Sequence, residues 1–305
     1  MLSSQSSSVP ALSVVIPTRN RSAEVSRAVS SVLQSPRSDI EVIVVDDGSN
    51  DNTSARLSQF CDDRLRYQSL VSTGNANRAR NIGARVARSP LIAFLDSDDV
   101  FSPERIDRLI DYFSRRKEID CLIDGYVEFS RGKAFVHRMP RPFPDQAALR
   151  YALIAHLIPL TNSAITVRRA AFDAVGGYDE SMPRHQDREF LLRLVERHAI
   201  DLGQAVDVEK HRSIKSISHE FDGYIDGLNA LARRVPDLSL PENQNLFSYL
   251  IVRGIIKAAI TGHWDAAIRE VRSLKRAEML PKGFLRNLSA YRAGRRQRHR
   301  FLSQR

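Results

Sequence analysis

Three short apolar runs, Leu12-Ser-Val-Val-Ile16, Glu41-Val-Ile-Val-Val45 and Leu91-Ile-Ala-Phe-Leu95, are each followed by a polar turn and then by residues at helical spacing. This alternation constrains the fold more than anything else in the chain. Runs this short and this apolar form strands buried on both faces, and such strands belong to parallel sheets covered by helices. Helices are expected over Glu24–Leu33, with Val25, Ala28, Val29, Val32 and Leu33 inward, and over Asn52–Phe60. Two more are expected over Ala76–Ala87 and over Glu104–Arg116, where Ile106, Leu109, Ile110 and Phe113 share a face. Pro17 is expected to close the first strand, since proline cannot donate to a ladder. The predicted class is α/β, a mostly parallel sheet flanked by helices. In such sheets ligands bind at the carboxyl ends of the strands.

Beyond Asp120 the alternation loosens. Cys121–Phe129 and Ser163–Val167 read as strands, Met139–Pro144 as a proline-rich loop, and Asp187–His198 as a helix. From about Glu220 the chain reads as helical, including Trp264–Leu274, with a break at Pro236–Pro241. The expected organisation is a disordered lead-in over residues 1–11, a catalytic-sized domain over 12–220, and a helical region with a basic tail over 221–305.

Composition excludes some classes. At 305 residues, 42% hydrophobic and 27% charged, the chain has the make-up of an ordinary globular protein. Its two cysteines, Cys61 and Cys121, have apolar neighbours and read as buried free thiols of a reducing compartment. The first ten residues lack the basic and apolar regions of a secretory signal. The most membrane-like stretch, Leu246–Ile260, is short and interrupted by Arg253 and Lys257. A cytoplasmic location is expected, with peripheral attachment at the inner face of the plasma membrane as an extension of it. The net charge of +10 bears on that extension, because seven arginines fall between Arg286 and Arg305. That tail is either a solvated basic segment or one drawn to anionic headgroups, with Phe284, Leu285, Leu288 and Tyr291 as an apolar helical face. Nucleic acid is not an expected partner, since only Tyr291 and Phe301 interleave the arginines.

The chemistry-bearing residues follow the apolar runs. Asp96, Asp98 and Asp99 leave the third run together. Carboxylates about 4 Å apart repel by about 4 kcal/mol per pair at an effective dielectric of about 20. A divalent cation, Mg²⁺ or Mn²⁺, would turn that repulsion into binding. The alternative is a helix start, with Asp99 or Ser102 capping and Pro103 in the first turn. Asp46 and Asp47 leave the second run into a turn that Gly48 and Ser49 can form. There they could accept hydrogen bonds from a nucleobase or ribose, while Asp51 could cap the next helix. The first run enters Pro17-Thr-Arg-Asn-Arg21, with no glycine-rich phosphate loop. Any phosphate must therefore be held by a cation and side chains. Arg78, Arg80 and Asn81 either face the same mouth or are solvated.

Ser13-Val-Val-Ile-Pro-Thr-Arg-Asn-Arg21, Val44-Val-Asp-Asp-Gly-Ser49, Ala79-Arg-Asn-Ile-Gly83 and Phe94-Leu-Asp-Ser-Asp-Asp99 together resemble the GT-A fold glycosyltransferases of family 2. The resemblance continues through Val175-Gly-Gly-Tyr-Asp-Glu180 and Gln186-Asp-Arg-Glu-Phe-Leu-Leu-Arg193, and fades near Ser213–Ser218. It implies an inverting, metal-dependent transfer of a sugar from a nucleotide-sugar, expected to be a UDP-sugar. The acceptor would be a saccharide or lipid-linked hydroxyl, in surface polysaccharide or glycoconjugate assembly. It assigns Pro17, Thr18, Arg19, Asp46, Asp47, Arg80, Asp96 and Ser97 to the donor nucleotide, Asp98 and Asp99 to Mn²⁺ or Mg²⁺, and Asp187 to the general base. Gln186 stands where the family often has Glu, but the Asp is kept. His185 would touch acceptor or phosphate unless it is structural, and His211 and Arg212 would lie near the diphosphate. Two other classes stay open: an Asp-nucleophile phosphatase using Asp96 and Asp98, and a basic nucleic-acid-binding protein.

Overall fold

A computed structural model of the chain describes residues 9–130, 132–211, 224–240, 243–260, 262–273 and 284–303. The chain forms two units, one of Met1–Leu149, Ile158–Glu180 and Arg193–Ser213, the other of Arg150–Leu157, Ser181–Leu192 and Ile214–Arg305. The second unit therefore takes in two segments lying before residue 220, and the linear boundary expected there is not the structural one.

In chain order the elements are β1 (Leu12–Thr18), α1 (Ser22–Leu33), β2 (Ile40–Asp46), α2 (Thr53–Leu57), β3 (Leu65–Ser69), α3 (Ala76–Val86), β4 (Leu91–Phe94), β5 (Val100–Phe101) and α4 (Arg105–Arg115). Then follow β6 (Cys121–Ser130), β7 (Lys133–His137), α5 (Gln146–Ile154), β8 (Ile165–Arg168), α6 (Arg169–Ala174), α7 (Gln186–Leu194) and β9 (Ile200–His211). Helices α8 (Tyr224–Arg234), α9 (Gln244–Ile260), α10 (Trp264–Ser273) and α11 (Phe284–Ser303) complete the chain.

The first unit is built on one sheet of order β3-β2-β1-β4-β8-β6-β9-β5, with β7 on β6. The expected parallel pairing holds across β3, β2, β1 and β4, whereas β8 enters antiparallel to both β4 and β6. Alternation along β1 sends Leu12, Val14 and Ile16 towards α1 and α4, where Val25, Val29, Ile106 and Leu109 are buried. Val45 and Ile43 of β2 face the other way, onto Ala79 and Ala87 beside α3. Gly83 lets α3 approach closely, since a Cβ there would stand 2.3 Å from Val15 Cγ1.

Pro17 lies inside β1 rather than ending it, in register with Val45. Val15 O accepts from Leu95 N and Thr18 O from Asp47 N, so the odd residues of β1 face β4 and the even ones β2. The β4 pairing stops at Val15. The missing N–H of Pro17 thus points where there is no ladder left to join.

Strands β3, β5, β7 and β9 and helices α5 and α6 lie outside the elements expected from the sequence, although β9 carries Ile200, Leu202, Val206 and Val208 at strand spacing and α5 ends in Tyr151-Ala-Leu-Ile154. Asp207 of β9 and Asp124 of β6 are satisfied together by α4: Arg105 Nη1 meets Asp124 Oδ2 at 3.0 Å and Asp207 Oδ1 at 2.5 Å, and Arg108 meets the same two acids at 2.6 and 2.7 Å. Cys121 is buried but Cys61 is exposed, which corrects the expectation for the latter.

In the second unit, Leu228, Leu231, Leu246, Phe247, Leu250 and Ile251 of α8 and α9 are buried. Glu270 of α10 accepts from Tyr224 N and Ile225 N at 3.1 and 3.0 Å, satisfying orphan donors at the start of α8. Helix α11 lies close on α9: a Cβ on Gly294 would stand 2.1 Å from Asn245 O, and Tyr291 stacks on Tyr249 at 5.4 Å. Tyr291 is therefore used inside the unit, not presented as part of an open apolar face, while Arg292, Arg295 and Arg296 are exposed. The side chains of Phe284, Leu285 and Leu288 lie outside the described residues. No helix among the described residues is long and apolar enough to cross a membrane.

Candidate active site

Because β1, β2, β3 and β4 run parallel, their carboxyl ends and the loops that follow share one edge of the sheet. Two carboxylates organise three of those loops. Asp46, 1% exposed, accepts Ser49 N and Oγ at 2.8 and 2.6 Å on Oδ1 and the Tyr67 hydroxyl at 2.8 Å on Oδ2. Asp47, 4% exposed, accepts Thr73 N and Oγ1 at 2.8 and 3.1 Å on Oδ1 and Asn75 N at 2.9 Å on Oδ2. Asn75 in turn caps α3, accepting Asn77 N and Arg78 N. Ser49 Oγ also accepts Asn20 N at 2.8 Å, which fastens the loop after β1 to the loop after β2. Gly48 has φ +71°, and a Cβ there would overlap Ser72 at 2.6 Å. The two acids therefore shape the cradle first. Oδ2 of each takes only one of these donors and keeps a lone pair for a ligand.

Around this cradle, Pro17 and Thr18 are buried in β1, and Thr18 Oγ1 is a buried hydroxyl with no hydrogen-bond partner among the described residues. Arg19 is exposed. Arg80 is not a solvated helical arginine. It is 4% exposed, with Nη2 donating to Asp96 Oδ1 at 2.6 Å and Nη1 to Asn77 Oδ1 at 3.1 Å, and it lies over the Tyr178 ring. Asn81 holds the Gly177–Glu180 segment instead, accepting from Tyr178 N and donating to Tyr178 O at 2.9 Å each.

The acid turn follows β4. Burial raises the Asp96 carboxyl, but Arg80, Lys210 and Arg21 outweigh it and hold the group below its usual range. Ser97 is buried within the turn. Asp98 Oδ2 pairs with Arg21 Nη1 at 2.9 Å, and Arg27 Nη2 donates to the Asp98 carbonyl at 3.0 Å. Burial nevertheless pushes the Asp98 carboxyl above its usual range against the pull of Arg21, with Asp96 adding to the push. Its charge is under-compensated, a condition a divalent cation relieves. Asp99 differs from the expectation that it stands beside Asp98 at the cation. It is 1% exposed, with Oδ2 accepting Ser163 Oγ at 2.5 Å and Oδ1 accepting His211 N at 3.2 Å. Burial, Asp96 and Asp98 push it up to about 7 against Lys210. No group of three or more His, Cys, Asp or Glu that could hold a metal ion is found among the described residues. A cation at this turn would have to rest on Asp98 and take its remaining ligands from phosphate oxygens, as Mg²⁺ commonly does.

His211, half-buried, stacks on Phe129 at 5.1 Å beside this turn. Arg212 lies outside the described residues. Sequence reasoning missed Arg21, Lys210 and Ser163 as members of the turn, and Tyr67 as the partner of Asp46. Each sits in a stretch without a chemical pattern, although Arg21 closes a segment already singled out.

In the second unit, Asp187 is half-buried in the first turn of α7, its Oδ1 accepting Arg188 N at 2.8 Å. His185 sits at φ +60°, its ring 5.3 Å from His156 and 5.4 Å from Tyr224. Burial, then Arg188 and Arg184, bring its pKa down to about 3. It is a neutral packed ring at neutral pH and offers no positive charge to a phosphate.

The sequence profile of glycosyl transferase family 2 matches residues 13–176, more than half of the chain. An uncharacterized glycosyltransferase of Haemophilus influenzae is 27% identical over 189 residues, covering 61% of this chain and 62% of that protein. Chondroitin synthase of Escherichia coli is 29% identical over 191 residues, covering 62% of this chain and 27% of that protein. Validoxylamine A glucosyltransferase of Streptomyces hygroscopicus is 39% identical over 109 residues, covering 34% and 26%. The chain thus spans less than two thirds of the length of these relatives. The structure of S. aureus TarS 1–349 in complex with UDP-GlcNAc matches with a TM-score of 0.68 at 14% identity, over 95% of this chain and 91% of that one. At that identity the likeness establishes the fold, a GT-A-like architecture.

Proposed function

The chain belongs to glycosyl transferase family 2, and we propose that it moves a sugar from a nucleotide-sugar to an acceptor hydroxyl with inversion at the anomeric carbon. The observation that carries this reading is the gathering of Asp46, Asp47, Arg80 and the Asp96–Asp98 turn on the carboxyl edge of the parallel strands. A UDP-sugar is the proposed donor, in line with the UDP-GlcNAc bound by TarS. The Asp46–Asp47 cradle takes the base and ribose, and Arg80 fixes Asp96 so that the turn keeps its shape as the donor enters. Asp98 holds Mn²⁺ or Mg²⁺, which when bound supplies positive charge to the leaving diphosphate.

Asp187 is the proposed general base. Its carboxylate takes the proton of the acceptor hydroxyl, whose oxygen forms the new bond to the anomeric carbon. The bond from that carbon to the diphosphate oxygen breaks on the opposite side, and its electron pair leaves with the nucleoside diphosphate. The acceptor is proposed to be a saccharide or lipid-linked hydroxyl. Peripheral membrane contact would draw on exposed Arg292, Arg295 and Arg296. Liposome flotation with and without charge reversal at these three tests that contact, and equal flotation overturns it.

A panel of nucleotide-sugars tests the reaction, scored by Mn²⁺-dependent thermal stabilisation and donor hydrolysis. One donor class should stabilise the protein and be hydrolysed, and Asp98→Ala should lose both. If no donor binds and Asp98→Ala matches the wild type, the proposal fails.

A further inference from the structure

Helix α10 is amphipathic the wrong way round for a helix that only completes a core. Its inner side carries Ala266, Ala267 and Glu270, all buried, and Glu270 accepts from the start of α8. Its large apolar residues, Trp264, Ile268 and Val271, recur at helical spacing on the outer side, with Trp264 63% exposed. A surface helix ordinarily turns such a stripe inward. Helix α9 does the same at its far end. It is buried from Leu246 to Ile251, but Ile256 and Ile260, one turn apart, are exposed, Ile260 at 79%. Three residues join the two helices. Among them Gly262, at φ +85°, donates to Ala259 O at 3.1 Å, and His263 N donates to Ala258 O at 2.9 Å. Ile260 and Trp264 flank this short link, so the two stripes meet there as one apolar knuckle. Around it Arg253, Lys257, Arg269 and Arg272 are exposed, against one exposed acid, Asp265.

We propose that this knuckle is a membrane-docking surface, which inserts Trp264 and its aliphatic neighbours into the headgroup boundary of an anionic bilayer. Exposed apolar residues scattered singly need no partner, but a contiguous group of five does. The basic rim selects that partner. A second copy meeting this face by two-fold symmetry would set one basic rim against another, and the two would repel. An anionic headgroup layer suits both parts at once. Lys and Arg reach its phosphates while their stems lie over the apolar face, and an indole rests at that depth. The surface stands on residues other than Arg292, Arg295 and Arg296 of α11, and docking through it does not depend on contact through them.

Trp264 is the only tryptophan of the chain, so its fluorescence reports on this surface alone. The test titrates the full chain with vesicles of phosphatidylcholine, with and without phosphatidylglycerol. Emission should move to shorter wavelength with the mixed vesicles, and lipids brominated high in the acyl chain should quench it. Ile260→Ser combined with Ile268→Ser alters exposed positions only, so its melting should match the wild type. Its affinity for the mixed vesicles should be at least about tenfold weaker. Arg269→Glu with Arg272→Glu should remove the preference for the mixed vesicles. A Trp264 that is neither shifted nor quenched overturns the inference, as does an unchanged affinity of the double serine protein. If the wild type floats with vesicles while Trp264 stays in water, and charge reversal at Arg292, Arg295 and Arg296 abolishes flotation, the tail is the contact and the knuckle is not. A shift that grows with protein concentration in the absence of lipid, with dimers in sedimentation, assigns the knuckle to a second copy and likewise overturns the proposal.

Discussion

Arg80 Nη2 lies 2.6 Å from Asp96 Oδ1, and both partners are largely withdrawn from solvent. A buried pair broken by removing one partner leaves an uncompensated charge, a loss of about 3–5 kcal/mol. Arg80→Met should therefore lower the thermal midpoint sharply and abolish UDP binding. Arg80→Lys should keep part of the stability, because it retains the charge but cannot reach Asp96 and Asn77 at once as the guanidinium does. Thermal unfolding beside UDP titration checks both, and an Arg80→Met protein of wild-type stability would show that the pair does not hold the turn.

Asp187→Ala should reduce sugar transfer by at least about 100-fold, the range of general-base contributions. Donor affinity should stay within about twofold, since the base acts on the acceptor. Single-turnover transfer measured against UDP titration separates the two. A parallel loss of UDP affinity would place Asp187 in donor binding instead.

His185, at about 3, and His156, also held well below its usual range, are neutral in the fold because burial and neighbouring arginines oppose their charge. In the unfolded chain both protonate below about 6.5. The unfolded state then binds more protons, so stability falls as pH drops below about 6.5 and is fully present above it. Thermal midpoints between pH 5 and 8 should show this slope, and the double substitution to Gln should flatten it. An unchanged slope would assign the acid sensitivity to other groups.

Much of the first unit was legible in the sequence, because strands buried on both faces are mostly apolar and β1, β2 and β4 are. The acids that end or follow β2 and β4 were legible because an unpaired carboxylate is tolerated only where such a strand emerges, whereas the buried Glu41 of β2 is held by Ser13, Arg66 and Arg88. Strands β3 and β9 were hidden. Strand β3 lies at an edge and is half exposed, while the charges of β9 find their partners only when α4 packs across the sheet. The role of Asp99 was hidden too, because Ser163 and His211, which take its two oxygens, lie far along the chain.

Native protein should expose one reactive thiol. Cys61 is exposed, whereas burial raises the pKa of Cys121 far above its usual value. Titration with a thiol reagent should give about one equivalent when folded and two when denatured. Two fast equivalents in the native state would contradict the packing of β6.

Gly83→Ala should destabilise the first unit by about 1–3 kcal/mol, because its Cβ would stand 2.3 Å from Val15 Cγ1 in a packed interface. Denaturant unfolding measures it. Loss of less than about 0.5 kcal/mol would mean that α3 can lift from the sheet without cost.

The three loops tied to Asp46 and Asp47 have a kinetic consequence. Their shape is fixed by bonds made during folding, to Ser49, Tyr67, Thr73 and Asn75, and not by bonds awaiting a ligand. Capture of the nucleotide by such a cradle is an encounter with a standing surface, so its association should be one exponential phase whose rate rises linearly with concentration. Tyr67→Phe, which releases one tether from a distance, should bend that line towards a plateau as loop ordering becomes the slow step.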